Sequence, residues 1–233
     1  GPAHSLGPEE VAEARNVVLL IIDGLGYDYL VACPEASTLN GALRSRLTSV
    51  FPSTTASAIT TYLTGDAPRQ HGVMGWHMYM REMGGIMTTL PGCARFGGPL
   101  FETTRLDFTG VLGNRGFAER IAVPSYMVMP KFIAGSAYTK AHQGPAEITP
   151  YDGLAEMFSG IQQGLKTAGT ERCYVHAYWP VLDAVGHGKG MTSNEARQTL
   201  LELDAAFASF LDAASGTDTL VIVVADHGQI DTT

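Results

Sequence analysis

Charged residues are scarce in this chain of 233 residues, at 16% of the sequence, and basic residues are scarcer than acidic ones. The chain has 15 Lys and Arg against 23 Asp and Glu, which gives a formal net charge of −8. So little basic charge argues against a nucleic-acid duplex as partner, because a phosphate backbone requires a basic face. A small anionic substrate is still compatible with this balance, because a bound metal ion reverses the charge of a site locally.

Cysteines are also few, and no long hydrophobic run is present. The three cysteines, Cys33, Cys93 and Cys173, are widely spaced, which excludes a disulfide scaffold and a cysteine-based zinc finger. No apolar run approaches the roughly 20 residues of a membrane span, so we expect none. No leader is visible at the start, and we expect a cytoplasmic protein, or a periplasmic or secreted one if a leader has been removed.

Hydrophobic residues make up 45% of the chain, and several form short, pure runs typical of strands buried on both faces. Such runs cover residues 17–22, 173–178 and 220–224, and helical spacing covers residues 55–65, 152–166 and 193–216. We therefore expect an α/β fold with a mostly parallel central sheet between helices, in a single domain over residues 1–233. Residues 75–150, rich in Gly, Pro and Met, are interpreted as an inserted lid region.

Residues able to bind a metal ion or act as a nucleophile gather where the predicted strands and helices begin or end. In an open α/β sheet, ligands bind beyond the carboxyl ends of the strands, and each of the three predicted strands leads to an aspartate. The candidates are Asp23, Thr55, Asp183, His187, Asp226 and His227. Each alone has an ordinary structural interpretation, such as helix capping or a loop aspartate. Together, three converging carboxylates would repel one another, and two divalent cations would resolve the repulsion.

The types of these residues indicate particular chemistry. Oxygen and nitrogen ligands such as Asp183 and His187, four residues apart, suit zinc or manganese. A hydroxyl at the start of a helix lies where free backbone N–H groups and the helix dipole favour an anion. The Thr55 oxygen can therefore attack phosphorus if a metal ion stabilises its charge.

The order and spacing of these segments resemble the alkaline phosphatase superfamily, and most closely its type I phosphodiesterase/nucleotide pyrophosphatase branch. The stretches that carry the resemblance span nearly the whole chain: residues 18–24, residues 51–55 running to Thr64-Gly65, His71-Gly72-Val73, residues 183–187 and Asp226-His227-Gly228. The resemblance implies a mostly parallel sheet sandwiched by helices. It also implies a hydrolase of phosphodiester or pyrophosphate bonds that forms a phospho-enzyme, which water then hydrolyses.

The resemblance further implies roles for single residues. It places the nucleophile on Thr55, with Thr54 as the fallback if the register slips. It implies that one metal ion, usually zinc, is held together with the nucleophile's oxygen by Asp23, Asp226 and His227.

A second metal ion, also usually zinc, is implied at Asp183 and His187. The family supplies one further histidine there from well beyond the Asp-His-Gly segment, whereas this chain ends at Thr233. We therefore expect the chain to be incomplete at its C-terminus, with water or His176 completing the second metal site.

One departure from the family pattern bears on the substrate. Many relatives have an asparagine after the His-Gly pair, and here Trp76 stands at that position, followed by His77. The indole donates only through its N–H and can stack on an aromatic leaving group, so we expect both residues to contact substrate, unless Trp76 is only a packed lid residue. A phosphomonoesterase or phosphonate hydrolase is an alternative, with Arg69, Arg81 or Lys131 fixing a terminal phosphate. A catalytically impaired metal-binding fragment is another.

Overall fold

Parallel strands form the centre of the fold in a computed structural model, which describes residues 6–105, 107–112 and 115–232. The strands in these ranges are β1 (Asn16–Ile22), β2 (His77–Met80), β3 (Gly85–Thr88), β4 (Cys93–Ala94), β5 (Ser125–Pro130), β6 (Glu147–Tyr151), β7 (Cys173–Trp179) and β8 (Thr219–Val224). Five of them form one sheet in the order β6-β5-β7-β1-β8, and all neighbours in it are parallel. Strands β2, β3 and β4 form a small antiparallel sheet.

Helices join the strands, as parallel connections require. In the described ranges the α-helices are α1 (Pro8–Glu13), α2 (Tyr27–Val31), α3 (Ser37–Ala42), α4 (Thr55–Thr64), α5 (Pro68–His71), α6 (Phe108–Leu112), α7 (Lys131–Ala134), α8 (Ala137–Gln143), α9 (Leu154–Ala168), α10 (Val181–Lys189) and α11 (Asn194–Ala214). None of the helices in these ranges is both long and apolar enough to cross a membrane.

The inner strands β5, β7 and β1 are buried on both faces because they carry apolar side chains at nearly every position. In β1, Leu20 and Ile22 belong to a core that they share with apolar side chains of α9 and α11, such as Phe207. Ile21 points to the opposite face, where α4 contributes Ile59. The predicted α/β class, a mostly parallel sheet sandwiched by helices, is confirmed.

Capping explains where the longest helix begins and ends. Ser193 lies at the N-cap of α11, and its hydroxyl oxygen accepts the N–H of Ala196 at 3.1 Å. The helix ends at Ala214, and Gly216 takes a left-handed conformation with φ of +76° two residues later. The sequence therefore predicted the start of α11 correctly, and Gly216 ends it from just outside the helix.

The sequence interpretation placed the inserted lid region at residues 75–150, but the structure assigns the last part of this range to the central sheet. That part supplies two strands, because β5 pairs with β7 and β6 pairs with β5. All six residues of β5 are buried. Strand β6 lies at the sheet edge and is partly exposed, with Pro150 where an edge strand tolerates a missing N–H. Between residues 75 and 124, the described residues form the small antiparallel sheet and short helices and contribute no strand to the central sheet.

A buried carboxylate on α11 takes the place of a missing cap on α3. Helix α3 follows Ala36, which offers no capping side chain. Instead Asp204, which is 6% exposed, accepts the N–H groups of Thr38 at 3.1 Å and Leu39 at 2.7 Å. This contact joins α3 to α11 through Leu39 and Asp204, which are 165 residues apart in the chain.

We expect Asp204→Ala to lower the free energy of unfolding by about 1–3 kcal/mol, because it leaves two N–H groups without their acceptor. Urea unfolding measures this change. Asp212→Ala is the matched control, since Asp212 is exposed on the same helix and should change stability by less than about 0.5 kcal/mol. Equal effects of the two substitutions would contradict the capping role.

Candidate active site

Strands β1 and β8 end side by side, and each is followed by an aspartate. Their parallel register pairs Ile21 with Val224, so Asp23 and Asp226 leave the sheet at the same edge. The N–H of Asp23 donates to the carbonyl oxygen of Trp179 at 2.9 Å, at the end of β7. Both aspartates are buried, with 2% and 1% of their surface exposed.

The two oxygens of Asp226 have different surroundings. Its Oδ1 accepts the N–H of Gly24 at 3.1 Å and the N–H of His227 at 2.8 Å. Its Oδ2 is buried and has no hydrogen-bond partner among the described residues. A buried carboxylate oxygen without a donor is costly unless a cation binds it, so this oxygen fits a metal ligand.

Asp23, Asp226 and His227 offer ligand atoms that all lie within 4.8 Å of one another. The Nε2 atom of His227 is 3.4 Å from Oδ1 of Asp23 and 3.5 Å from Oδ2 of Asp226. Two carboxylate oxygens and one imidazole nitrogen form a donor set that suits zinc. These three residues are the set that the sequence predicted for one metal ion.

Thr55 brings a hydroxyl to this cluster from the start of α4. Its Oγ1 lies 3.0 Å from Nε2 of His227 and 3.5 Å from Oδ1 of Asp23. Thr55 is 7% exposed, whereas Thr54, at the N-cap, is half-buried and makes no side-chain capping bond. The contacts therefore favour the register with Thr55 at the cluster over the fallback at Thr54.

Asp183 and His187 lie one turn apart on α10. Oδ1 of Asp183 is 3.9 Å from Nε2 of His227, and its Oδ2 is 3.5 Å from Nε2 of His187, whose side chain is 76% exposed. Gly24 permits this approach, because a Cβ there would lie 3.1 Å from the Asp183 Cα, and its φ is +76°. In the described ranges no third His, Cys, Asp or Glu completes a group of three close ligands at Asp183 and His187.

The electrostatics of the cluster are unfavourable without a cation. Burial, followed by the negative charges of Asp226 and Asp183, raises the pKa of Asp23 to about 9. Burial raises the pKa of Tyr178 well above its usual value of 10, and the negative charges of Asp23, Asp226 and Asp183 raise it further. A divalent cation would offset the desolvation and the repulsion and favour the ionised form of Asp23.

Two residues outside the sequence-derived set contact the metal-ligand candidates. The hydroxyl of Tyr178 donates to Oδ2 of Asp23, and the side-chain amide of Gln229 donates to Oδ1 of Asp183. Tyr178 lies in the third predicted strand, five residues before Asp183, and Gln229 follows the Asp-His-Gly segment. The sequence could have indicated these two residues only by their closeness in the chain to the candidates. The contacts themselves depend on strand register and helix packing, which the sequence pattern does not give.

Among the described residues, no hydrogen bond or ion pair joins the candidates His176, Trp76 and His77 to the cluster. His176 is fully buried within β7 beside Phe117, with neither ring nitrogen hydrogen-bonded to a described residue. Among the described residues no ion pair joins it to Asp183 or His187. Burial lowers the pKa of His176 to about 4. Trp76 is 37% exposed, and His77 bonds Thr88 at 3.0 Å. No hydrogen bond or ring contact among the described residues joins Trp76 or His77 to Thr55.

Comparison with known proteins identifies the class of this arrangement. The model of the type I phosphodiesterase / nucleotide pyrophosphatase family matches residues 17–233. The chain therefore belongs to this family, whose members are phosphoric ester hydrolases. The resemblance of the sequence motifs is thereby confirmed. Comparison with curated proteins gives no match.

Solved structures of related proteins share the fold at low sequence identity. Human ectonucleotide pyrophosphatase / phosphodiesterase 5 is 16% identical with a TM-score of 0.70, covering 93% of this chain and 58% of that chain. The murine protein of that name is 18% identical with a TM-score of 0.67, covering 91% and 57%. Phosphonoacetate hydrolase from Sinorhizobium meliloti 1021 is 17% identical with a TM-score of 0.57, covering 93% and 57%. The chain thus spans little more than half the length of these neighbours.

We expect Zn²⁺ to stabilise the folded chain through the Asp23, Asp226 and His227 cluster. At a free concentration of about 100 times its Kd, the ion should add about 2.7 kcal/mol to the free energy of unfolding. Thermal unfolding of chelator-treated protein with and without Zn²⁺ measures the gain.

The gain should shrink in Asp226→Asn, which removes a ligand charge, and should persist in His176→Leu, which changes only the core. A Zn²⁺ effect that is absent in the unmodified chain, or equal in Asp226→Asn, would contradict the assignment of the cluster.

Proposed function

We propose that the chain hydrolyses phosphodiester or pyrophosphate bonds with Thr55 as nucleophile and two divalent metal ions as cofactors. The observation that carries this proposal is the position of the Thr55 hydroxyl, 3.0 Å from His227 and 3.5 Å from Asp23, beside a carboxylate oxygen that lacks a donor. A capping threonine would need none of these contacts. A nucleophile held among metal ligands explains all of them.

The position of Thr55 on its helix supports attack on phosphorus. Thr55 is the first residue of α4, a helix of ten residues, whose free N–H groups and dipole favour negative charge at that end. The Thr55 oxygen forms a bond to phosphorus as the bond from phosphorus to the leaving oxygen breaks. Water then cleaves the bond between phosphorus and the Thr55 oxygen, which restores the enzyme and releases the phosphoryl product.

The cofactors that we propose are zinc ions, with manganese as the alternative. Asp23, Asp226 and His227 would hold one ion, and Asp183 and His187 would hold the other with a ligand that the described residues do not supply. Bound metal ions supply positive charge that stabilises the attacking and leaving oxygens. The residues of the chain place those oxygens, because Thr55 and the carboxylates are fixed by buried backbone elements.

The charges around the site favour a diester over a monoester. A terminal phosphate carries extra negative charge and is usually fixed by a cationic side chain. In the described ranges no Lys or Arg forms an ion pair with Asp23, Asp183 or Asp226, and Lys131 instead pairs with Asp152 at 2.9 Å. Lys131 is therefore already paired and is a poor candidate for a monoester clamp.

We also propose that Trp76 and His77 contact the leaving group of a small phosphorylated substrate. Both follow the His71-Gly72 turn after α5 and are partly or fully exposed, so they are accessible to a ligand. An inactive variant of the murine neighbour was solved in complex with AMP, and phosphonoacetate hydrolase in complex with phosphonoformate. Those ligands are compatible with a substrate of this chemistry here.

For the compartment we propose the cytoplasm. The three cysteines are free thiols in the structure, which is compatible with a reducing environment.

The substrate class is tested by comparing bis(p-nitrophenyl) phosphate with p-nitrophenyl phosphate in the presence of Zn²⁺. We expect kcat/KM to be at least about tenfold higher for the diester, because a missing charge-assisted hydrogen bond costs the monoester about 1.5–3 kcal/mol. Faster hydrolysis of the monoester, or of phosphonoacetate alone, would replace the proposed function by the corresponding alternative. No hydrolysis of any of the three would indicate an impaired metal-binding fragment.

The nucleophile is tested with Thr55→Val, which keeps the buried shape and removes the hydroxyl. We expect turnover of the diester to fall by at least about 10³-fold with the fold retained. Thr55→Ser keeps a hydroxyl and should retain more activity than the valine variant. Thr54→Val is the matched control and should stay near the unmodified rate. Turnover that survives in Thr55→Val and disappears in Thr54→Val would move the nucleophile to Thr54.

A further inference from the structure

Tyr178 is the last residue but one of the central strand β7, next to the carboxylate cluster. It pairs with Ile21 across the parallel ladder, and it belongs to the core on the α4 side of the sheet. Its carbonyl oxygen accepts the hydroxyl of Tyr151 at 2.5 Å, and the next residue, Trp179, accepts the N–H of Asp23. The backbone at Tyr178 is therefore fixed by the neighbouring strand and by these hydrogen bonds, and the residue is only 2% exposed.

The two oxygens of Asp23 are divided between different partners. Oδ2 accepts the Tyr178 hydroxyl. Oδ1 faces the open side of the cluster, 3.4 Å from Nε2 of His227 and 3.5 Å from Oγ1 of Thr55. A carboxylate rotates readily about its last torsion, so a donor fixed on one oxygen determines where the other one points.

We propose that Tyr178 is a positioning residue whose hydroxyl holds Asp23 so that Oδ1 stays turned toward Thr55 and the metal ion. This inference rests on the proposed function, because it assigns Asp23 to the metal site. Tyr178 itself touches neither the substrate nor the reacting atoms. Partners of this kind fix the orientation of metal-binding side chains, and their removal commonly weakens metal binding by about 10- to 100-fold.

A purely structural tyrosine would behave differently. Tyr138 gives the comparison, because it is also fully buried and its hydroxyl shares a hydrogen bond with Thr60 at 2.7 Å, away from the carboxylates. Removal of either hydroxyl costs a buried hydrogen bond, so both variants should lose stability. Only the loss at Tyr178 should change how the chain binds a metal ion.

The test is the Kd for Zn²⁺ alone, measured by competition with a chromophoric chelator for the unmodified chain, Tyr178→Phe and Tyr138→Phe. We expect Tyr178→Phe to raise the Kd by about 10- to 100-fold and Tyr138→Phe to leave it unchanged. Circular dichroism and the thermal midpoint of the metal-free chains check that each variant folds. In Zn²⁺-saturated protein, Tyr178→Phe should also lower kcat for the diester more than it changes KM.

A double-mutant cycle with Asp23→Ala tests whether Tyr178 acts through the Asp23 carboxylate. In the Asp23→Ala background, adding Tyr178→Phe should change the Kd by less than about twofold, because the acceptor of the phenol hydroxyl is absent. A full 10-fold effect in that background would overturn the role through Asp23. So would a Kd for Tyr178→Phe equal to that of Tyr138→Phe.

These outcomes separate the inference from the proposed function. A chain that binds Zn²⁺ but hydrolyses no ester would end the proposed function, and a raised Kd in Tyr178→Phe would still support the positioning role. An active chain whose Kd is unaffected by Tyr178→Phe would overturn the positioning role alone. A chain that binds no Zn²⁺ would overturn both.

Discussion

Mutual repulsion among three carboxylates at one buried edge of the sheet is the constraint on which the site depends. Asp23 and Asp226 lie there because β1 and β8 run parallel in register, and Asp183 joins them because Gly24 lets α10 approach the turn after β1. Burial and like charge then raise the pKa of Asp23 to about 9. A bound cation would offset this repulsion, and the hydroxyl of Tyr178 donates a hydrogen bond to one oxygen of Asp23.

Helix α4, which carries Thr55, is held against the turn after α5 by a set of hydrogen bonds. Ser57 donates to the carbonyl oxygen of Val73 at 2.9 Å, the N–H of Val73 donates to Nδ1 of His71 at 3.0 Å, and Nε2 of His71 is 3.1 Å from the hydroxyl of Thr61. The ring is neutral because its Nδ1 accepts a hydrogen bond. Burial favours the same form, since it lowers the pKa of His71. These contacts hold α4 against the turn after α5, so Thr55 is presented by packed backbone rather than by a mobile loop.

Much of this arrangement was predictable from the sequence because it depends on local pattern. Pure apolar runs predict the central strands, and the strand ends place Asp23 and Asp226 at one edge without knowledge of the fold. The rest required tertiary information. The residues of β6 form a weak pattern typical of an edge, so its membership in the sheet was missed. His176 was placed near the site by its position in the strand, but the register of β7 keeps it in the core.

Anomalous scattering at the zinc absorption edge, from crystals grown with Zn²⁺, shows whether the carboxylate cluster binds a metal ion beside Thr55. We expect one anomalous peak in contact with Asp23, Asp226, His227 and the Thr55 oxygen, and a second peak at Asp183 and His187. Zinc found only away from these side chains, or a Thr55 hydroxyl outside the coordination shell, would show that the cluster is not the proposed metal site.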